Sequence, residues 1–169
     1  MRTISLSLNH NTSIPTKLLI ISTIALSTCA SFIHWGYYYG YSIQFPYAVI
    51  FAWTIYRPDQ TRILPLLLMG ILKDALMGGQ LGLTSGAFWI TWWLAIGQRW
   101  FLIKRNFSIA WMSFIVVAGF VESLRFFVLS LTNLESPFIG AFFYDLLMLG
   151  AFFPLIARII YWLSKKHRP

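Results

Sequence analysis

Six apolar runs, separated by short polar connections, make up almost the entire chain. Of its 169 residues, 58% are hydrophobic and only 11% are charged, whereas ordinary soluble domains carry about 25% charged residues. A soluble fold so poor in charge would have no polar surface to present to water. Because a spanning helix needs about 20 apolar residues, the chain has room for about six spans and little else. The composition therefore predicts one compact, all-α integral membrane domain.

Glycine, proline and charged residues mark the ends of the six runs. We predict transmembrane helices at residues 18–33, 42–56, 63–77, 81–97, 107–131 and 138–163. Pro58 ends the second helix, because a proline disfavours helical conformation in the residue before it, and Pro154 predicts a kink in the sixth. The membrane domain thus covers residues 18–163, between a polar N-terminal tail of residues 1–17 and a basic C-terminal tail of residues 164–169.

The lysines and arginines outside the apolar runs follow a one-sided pattern. They lie in the N-terminal tail, the second and fourth connections and the C-terminal tail, while the first, third and fifth connections have none. Cytoplasmic loops of membrane proteins carry such an excess of basic residues, so the pattern predicts six spans with both termini in the cytoplasm. The formal net charge of +8 then reflects topology, and we do not interpret it as a nucleic-acid-binding surface.

The segment around Cys29, the single cysteine, has a second interpretation. Leu26-Ser27-Thr28-Cys29-Ala30 partly matches a lipoprotein cleavage box. Thr28 fits such a box poorly, and five further spans would follow it, so we retain the run as the first span. We interpret Cys29 as a small packing residue without a redox or metal role.

Four charged residues inside the runs are predicted to share one depth in the membrane. At about 1.5 Å of rise per residue, Asp74, Glu122, Arg125 and Asp145 all fall in its outer half, on three different helices. Each would cost at least about 2.5 kcal/mol facing lipid, so we predict that they form a buried polar cluster. Glu122 and Arg125 are spaced for an i,i+3 pair, and Arg125 is placed to bridge to Asp145. Lys73 is predicted to extend its ammonium group to the outer interface.

Three interpretations of this cluster remain: a structural contact that holds helices together, a ligand or partner site open to the outside, and a proton or ion relay. No continuous chain of acids crosses the membrane, as a relay would require. Gly70, Asp74 and Gly78 lie on one stripe of the third helix, and small residues on a stripe allow another helix to approach closely. Because Asp59 is a solvated loop residue, we expect Asp74→Ala to be the more harmful of the two alanine substitutions.

Enzyme chemistry has little support in this sequence. The chain lacks the Gly-x-Ser-x-Gly and His-Glu-x-x-His motifs and any cysteine–histidine cluster. Its histidines, His10, His34 and His167, lie in the tails or at an interface. We therefore predict a non-enzymatic protein and assign no catalytic residue, cofactor or metal.

One stretch of about forty residues resembles a known family. The segment Trp53-x-x-Tyr56-Arg57-Pro58 precedes an apolar helix that reads Gly70-Ile-Leu-Lys-Asp74 and ends in Gly78-Gly-Gln-Leu81-Gly82. An Arg-Pro loop, a Gly-Leu-Leu-x-Asp helix and a Gly-x-x-Leu-Gly turn, in this order, are typical of the bacterial rod shape-determining protein MreD family. The matching motif residues are Arg57, Pro58, Gly70, Asp74, Gly78, Leu81 and Gly82. The chain departs from the family in Lys73 and in its longer polar N-terminal tail.

The resemblance implies a non-enzymatic, multi-pass subunit of the bacterial cytoplasmic (inner) membrane. Such a subunit belongs to the cell-elongation complex that organises sidewall peptidoglycan synthesis. Its expected principal partner is MreC, a single-span periplasmic scaffold. MreB, RodZ, RodA and a penicillin-binding transpeptidase are the other expected members of the complex.

Two alternatives remain from other classes of protein. The chain also resembles, in length and span number, the substrate-binding components of energy-coupling-factor vitamin transporters, which hold a small ligand in the outer half of the membrane. Their usual Ala-x-x-x-Ala docking surface is represented only by Ala25-x-x-x-Cys29 and Ser27-x-x-x-Ser31. An intramembrane enzyme would be indicated if Asp74→Asn abolished an activity without loss of assembly.

Overall fold

The computed structural model describes residues 14–31, 43–78, 80–103, 105–131 and 139–166. Within these ranges the chain is all-α, with six helices and no strand. The helices are α1 (Ile14–Ala30), α2 (Phe45–Tyr56), α3 (Ile63–Met77), α4 (Leu83–Leu102), α5 (Phe107–Leu131) and α6 (Ile139–Lys166). The prediction of an all-helical fold is therefore confirmed.

Two of the predicted helices, α3 and α5, have the bounds expected from the sequence. α4 instead continues five residues past its predicted end at residue 97, which makes Arg99 a helical residue rather than a loop residue. Glutamine and arginine are good helix formers, so the polar residues after Gly97 do not interrupt the helix. α6 likewise continues to Lys166, into the predicted tail.

α2 is the central helix of the bundle. Every residue from Phe45 to Ile55 is buried, and the helix packs against α1, α4, α5 and α6. Aromatic rings fill the space on its α5 and α6 side, where Phe114 and Phe153 stack with centroids 4.2 Å apart and Phe51 meets Phe114 edge-on. With 12 residues, α2 is only about 18 Å long. It is therefore enclosed by longer helices along its whole length.

The outward surface of the bundle is strongly apolar, while several charged side chains are buried. Exposed large apolar residues include Leu64, Leu68, Leu76, Trp93, Trp100, Met112, Val116, Phe127, Leu147, Leu155 and Trp162. Monomeric soluble proteins rarely expose apolar patches of this extent. α5 and residues 142–165 of α6 are long and apolar enough to cross a membrane. Cys29 is exposed on α1, so its interpretation as a packing residue is wrong.

Pro154 lies inside α6 and interrupts its backbone hydrogen bonding. Proline has no N–H group, so the carbonyl one turn earlier, at Gly150, loses its helical donor. The indole Nε1 of Trp111 on α5 donates to that carbonyl at 2.9 Å. A polar group freed by the proline is thereby satisfied by a neighbouring helix, which also ties α5 to α6.

We expect Trp111→Phe to destabilise the fold by about 1–3 kcal/mol, because the buried Gly150 carbonyl would lose its donor. Unfolding by SDS titration in mixed micelles measures this difference. In a Pro154→Ala background the alanine N–H can serve the same carbonyl, so the cost of Trp111→Phe should fall. An equal cost of Trp111→Phe in both backgrounds would contradict this explanation.

Candidate functional site

Asp74 caps the helix that follows it in the chain. Its buried carboxylate accepts hydrogen bonds from the backbone N–H of Gly82 at 2.9 Å and of Thr84 at 3.1 and 3.3 Å. Gly82 is the residue directly before α4 and Thr84 lies in its first turn. The first N–H groups of a helix have no acceptor within the helix. The negative charge also lies at the positive end of the α4 dipole. Asp74 therefore joins the end of α3 to the start of α4.

Glycines allow this α3–α4 hairpin to close. A Cβ atom on Gly70 would lie 2.4 Å from the Cα of Ser85, so the two helices approach to main-chain contact at this point. Gly78 ends α3 at φ 66° and Gly82 precedes α4 at φ 99°, both in the left-handed region that favours glycine. Leu81, between them, is exposed at the turn. Gly70, Asp74, Gly78 and Gly82 thus form one closely packed helical hairpin.

The other half of the motif lies at the opposite end of the bundle. Arg57, directly after α2, donates from Nη2 to the Ser164 carbonyl at 3.0 Å and from Nε to the Ser164 hydroxyl at 3.4 Å. Pro58 follows it in the turn before α3. The indole of Trp92 donates to the Thr61 carbonyl at 3.1 Å and fixes this connection against α4. We call this end of the bundle the Arg57 end, and the end where α2 begins the Gln44 end.

A group of buried and partly buried charged side chains lies at the Gln44 end. Lys73 is only 2% exposed, and its ammonium group donates to the Gln44 side-chain oxygen. Glu122 pairs with Arg125 at 3.4 Å, and the charges of Glu122, Arg125 and Asp145 all act on Lys73. The group has two cations and two anions, so its formal charges cancel. We refer to Lys73, Glu122, Arg125 and Asp145 as the buried charge cluster.

The predicted polar cluster and the observed one differ in membership. Asp74 was predicted in the cluster, but both of its carboxylate oxygens bond to the start of α4, and it acts on Lys73 only through its charge. Lys73 was predicted to reach the outer interface, and this is wrong. Its buried ammonium instead donates to the Gln44 side-chain oxygen, because a buried charge is costly unless it is hydrogen-bonded. The predicted Glu122–Arg125 pair is present, whereas no direct ion pair joins Arg125 to Asp145 in the described part of the chain.

Two residues beside the cluster were not predicted. The Gln44 side-chain oxygen accepts a hydrogen bond from the Lys73 ammonium. Tyr47 is fully buried on α2, close enough to be affected by the charges of Glu122, Arg125 and Asp145. A polar Gln44 at the start of the most apolar helix was a usable signal. Nothing in the sequence distinguished Tyr47 from the several tyrosines that precede it.

Three oxygens around the cluster are buried without a hydrogen-bond partner among the described residues. They are the Tyr47 hydroxyl, Oε1 of Glu122 and Oδ1 of Asp145, which come from α2, α5 and α6. Buried polar atoms are normally satisfied. The Tyr47 hydroxyl can donate a hydrogen bond to a carboxylate, and the Glu122 and Asp145 oxygens can accept one. No group of three histidine, cysteine or acidic residues able to hold a metal is present in the residues that the structure describes.

We expect Glu122→Gln to destabilise the protein, because Arg125 would lose its paired charge. The Arg125 side chain is 25% exposed, so the cost should lie between the ~1 kcal/mol of exposed pairs and the ~3 kcal/mol of buried ones. Thermal or SDS unfolding of the purified variant measures it. Ser123→Ala, an exposed neighbour on the same helix, should change stability by less than about 0.5 kcal/mol. Equal effects of the two substitutions would exclude a stabilising role for the pair.

Comparisons of the chain with protein-family models, with curated proteins and with solved structures give no match.

Proposed function

We propose that this protein is a six-span, non-enzymatic subunit of the bacterial inner membrane, related to the rod shape-determining protein MreD. In this proposal both termini are cytoplasmic, and the protein holds MreC within the cell-elongation complex. MreB, RodZ, RodA and a penicillin-binding transpeptidase would be its further partners. The proposal rests on the resemblance of residues 50–90 to that family and on the α3–α4 hairpin that this segment forms.

The observation that carries the proposal is the capped α3–α4 hairpin. The motif acid, Asp74, has its hydrogen bonds directed to backbone N–H groups of α4, and the motif glycine Gly70 contacts the backbone of Ser85. Both residues therefore hold α3 against α4, and both carboxylate oxygens of Asp74 are occupied by backbone N–H groups. A closely packed membrane hairpin with an apolar exterior suits a subunit that acts by holding other subunits.

The distribution of charge supports the proposed orientation. The loop cations Arg57, Arg62 and Arg105 lie at the Arg57 end of the bundle, while Lys73 at the Gln44 end is buried and bonds to the Gln44 side chain. An alternating bundle with its solvated cations at one end follows the positive-inside rule. The Arg57 end would therefore be cytoplasmic, and the Gln44 end would face the periplasm.

The direct test is depletion of this protein in its own cells, combined with purification of a tagged chain. Depletion should convert rod-shaped cells to round ones, and the tagged chain should retain a single-span coiled-coil protein. Asp74→Ala should lose that partner while Asp59→Ala retains it, since Asp59 is exposed in the turn after α2. Unchanged cell shape after complete depletion would refute the proposal.

One observation favours the second candidate, the substrate-binding component of a vitamin transporter. The oxygens of Tyr47, Glu122 and Asp145 that lack a hydrogen-bond partner among the described residues come from three helices at the Gln44 end. In the proposed orientation this end lies in the outer half of the membrane, where such transporter components hold their ligand. A vitamin-sized molecule released from the purified protein on denaturation, and identified by mass spectrometry, would decide for this candidate. The same molecule should be missing from a Glu122→Gln preparation.

A further inference from the structure

A cavity of about 480 Å³ opens at the Arg57 end, outside the motif and the buried charge cluster. It lies between the ends of α2 and α4, the start of α5 and the facing part of α6. Most of its wall is apolar or aromatic, and two arginines, Arg99 and Arg105, supply its charge. None of its described lining residues is acidic. The polar part of the cavity wall is therefore cationic, and the rest is apolar.

A second cavity of about 320 Å³ adjoins the first. The two share four wall residues, Tyr56, Phe107, Ala157 and Tyr161, and the second adds Arg158 of α6. The rings of Tyr56 and Tyr161 lie 5.7 Å apart on this shared wall. Together the cavities form one recess with three arginines around an aromatic wall.

One arginine of this recess, Arg99, is only partly satisfied by the described residues. Nε of Arg99 is buried and has no hydrogen-bond partner among the described residues. A buried guanidinium N–H without an acceptor is costly, and the planar guanidinium is well suited to bind a phosphate through paired hydrogen bonds. Arg105 lies with its Cζ 5.1 Å above the Phe101 ring, a contact that holds its charge in place.

We propose that this recess binds an anionic membrane lipid, with its phosphate against Arg99 and Arg105 and the start of its acyl chain along the apolar wall. The walls argue for a lipid phosphate over free phosphate, because a free anion gains nothing from aromatic and aliphatic surface. The volume is within the range of about 300–1,000 Å³ that ligand sites have. The choice of a lipid rests on the membrane placement proposed above, and not on the partners proposed there.

Binding of phosphatidylglycerol to the purified full chain tests the proposal. Native mass spectrometry in a neutral detergent compares phosphatidylglycerol with phosphatidylcholine at equal concentration. We expect phosphatidylglycerol to bind at least about tenfold more tightly, and Arg99→Gln to remove that preference, because one charge-assisted hydrogen bond contributes about this factor. Arg99→Lys should restore only part of it, since lysine keeps the charge and loses the planar fork.

Arg62→Gln is the matched control. Arg62 is an exposed cation at the same end, before α3, and lines neither cavity. Its loss should leave the lipid preference unchanged. If Arg99→Gln does not fold, Arg105→Gln, in the exposed turn after α4, carries the same test.

Three results would overturn the inference. Equal binding of the two lipids would remove the anion preference. Unchanged binding in both the Arg99 and the Arg105 variants would place the lipid elsewhere. Full displacement of phosphatidylglycerol by an equal concentration of inorganic phosphate would assign the recess to a free anion. Because these measurements use the protein without MreC, they can fail while the proposed function stands, and the reverse also holds.

Discussion

Gly70→Ala is expected to destabilise the protein by about 3 kcal/mol, the upper part of the range for overpacked interiors. The added Cβ would lie 2.4 Å from Cα and 2.7 Å from the backbone N of Ser85. A side chain in this position could rotate away, but backbone cannot. The substitution must therefore push α3 and α4 apart, which also strains the hydrogen bonds from the start of α4 to Asp74.

The matched control for Gly70→Ala is Gly86→Ala in the partner helix of the same hairpin. A Cβ on Gly86 meets nothing within 4 Å, and alanine favours a helix over glycine by about 1 kcal/mol. This variant should be unchanged or slightly more stable. Both are measured by SDS titration in mixed micelles. Equal stability of the two variants would show that the close approach of the helices at Gly70 is not a constraint on the fold.

The helix bounds that local signals determine could be predicted from the sequence. α3 is bounded by the polar connection after Pro58 and by Gly78, and both its ends were predicted correctly. The end of α4 was not, because the residues after Gly97 are polar enough to suggest a loop yet compatible with a helix. Polarity alone cannot distinguish a solvated helical turn from a connection.

The candidate site could be predicted only in part. The sequence shows which charged residues lie in apolar runs and must be buried, but their partners depend on the three-dimensional arrangement of the helices. The cost of an exposed charge in an apolar run was sufficient to predict that Asp74, Glu122 and Asp145 are buried. The partner of Asp74 is a set of backbone N–H groups, which no residue type reveals. The partner of Lys73 is Gln44, 29 residues earlier in the chain, and this contact depends on the folded arrangement of the helices.

Asp74→Ala is expected to cost about 2–3 kcal/mol, which combines the loss of an N-cap with the burial of unpaired N–H groups. The N–H groups of Gly82 and Thr84 would both lose their acceptor. Asp74→Asn keeps an acceptor oxygen but removes the charge at the α4 N-terminus, so its cost should be about 0.5–1 kcal/mol. Asp59→Ala, in the exposed turn, should remain within about 0.5 kcal/mol of the parent protein. Equal effects of Asp59→Ala and Asp74→Ala would contradict the capping role.

The double variant Gly70→Ala/Asp74→Ala tests whether the close contact and the cap act as one unit. Residues that share a structural element are not additive, and these two hold the same pair of helices at neighbouring turns. Once Gly70→Ala has separated α3 from α4, the carboxylate of Asp74 can no longer reach Gly82 and Thr84 as it does in the parent at 2.9 and 3.1 Å. The loss of stability in the double variant should therefore be smaller than the sum of the single losses. A strictly additive result would mean that the hairpin tolerates separation at Gly70 while its cap stays intact, and that the two motif residues stabilise it independently.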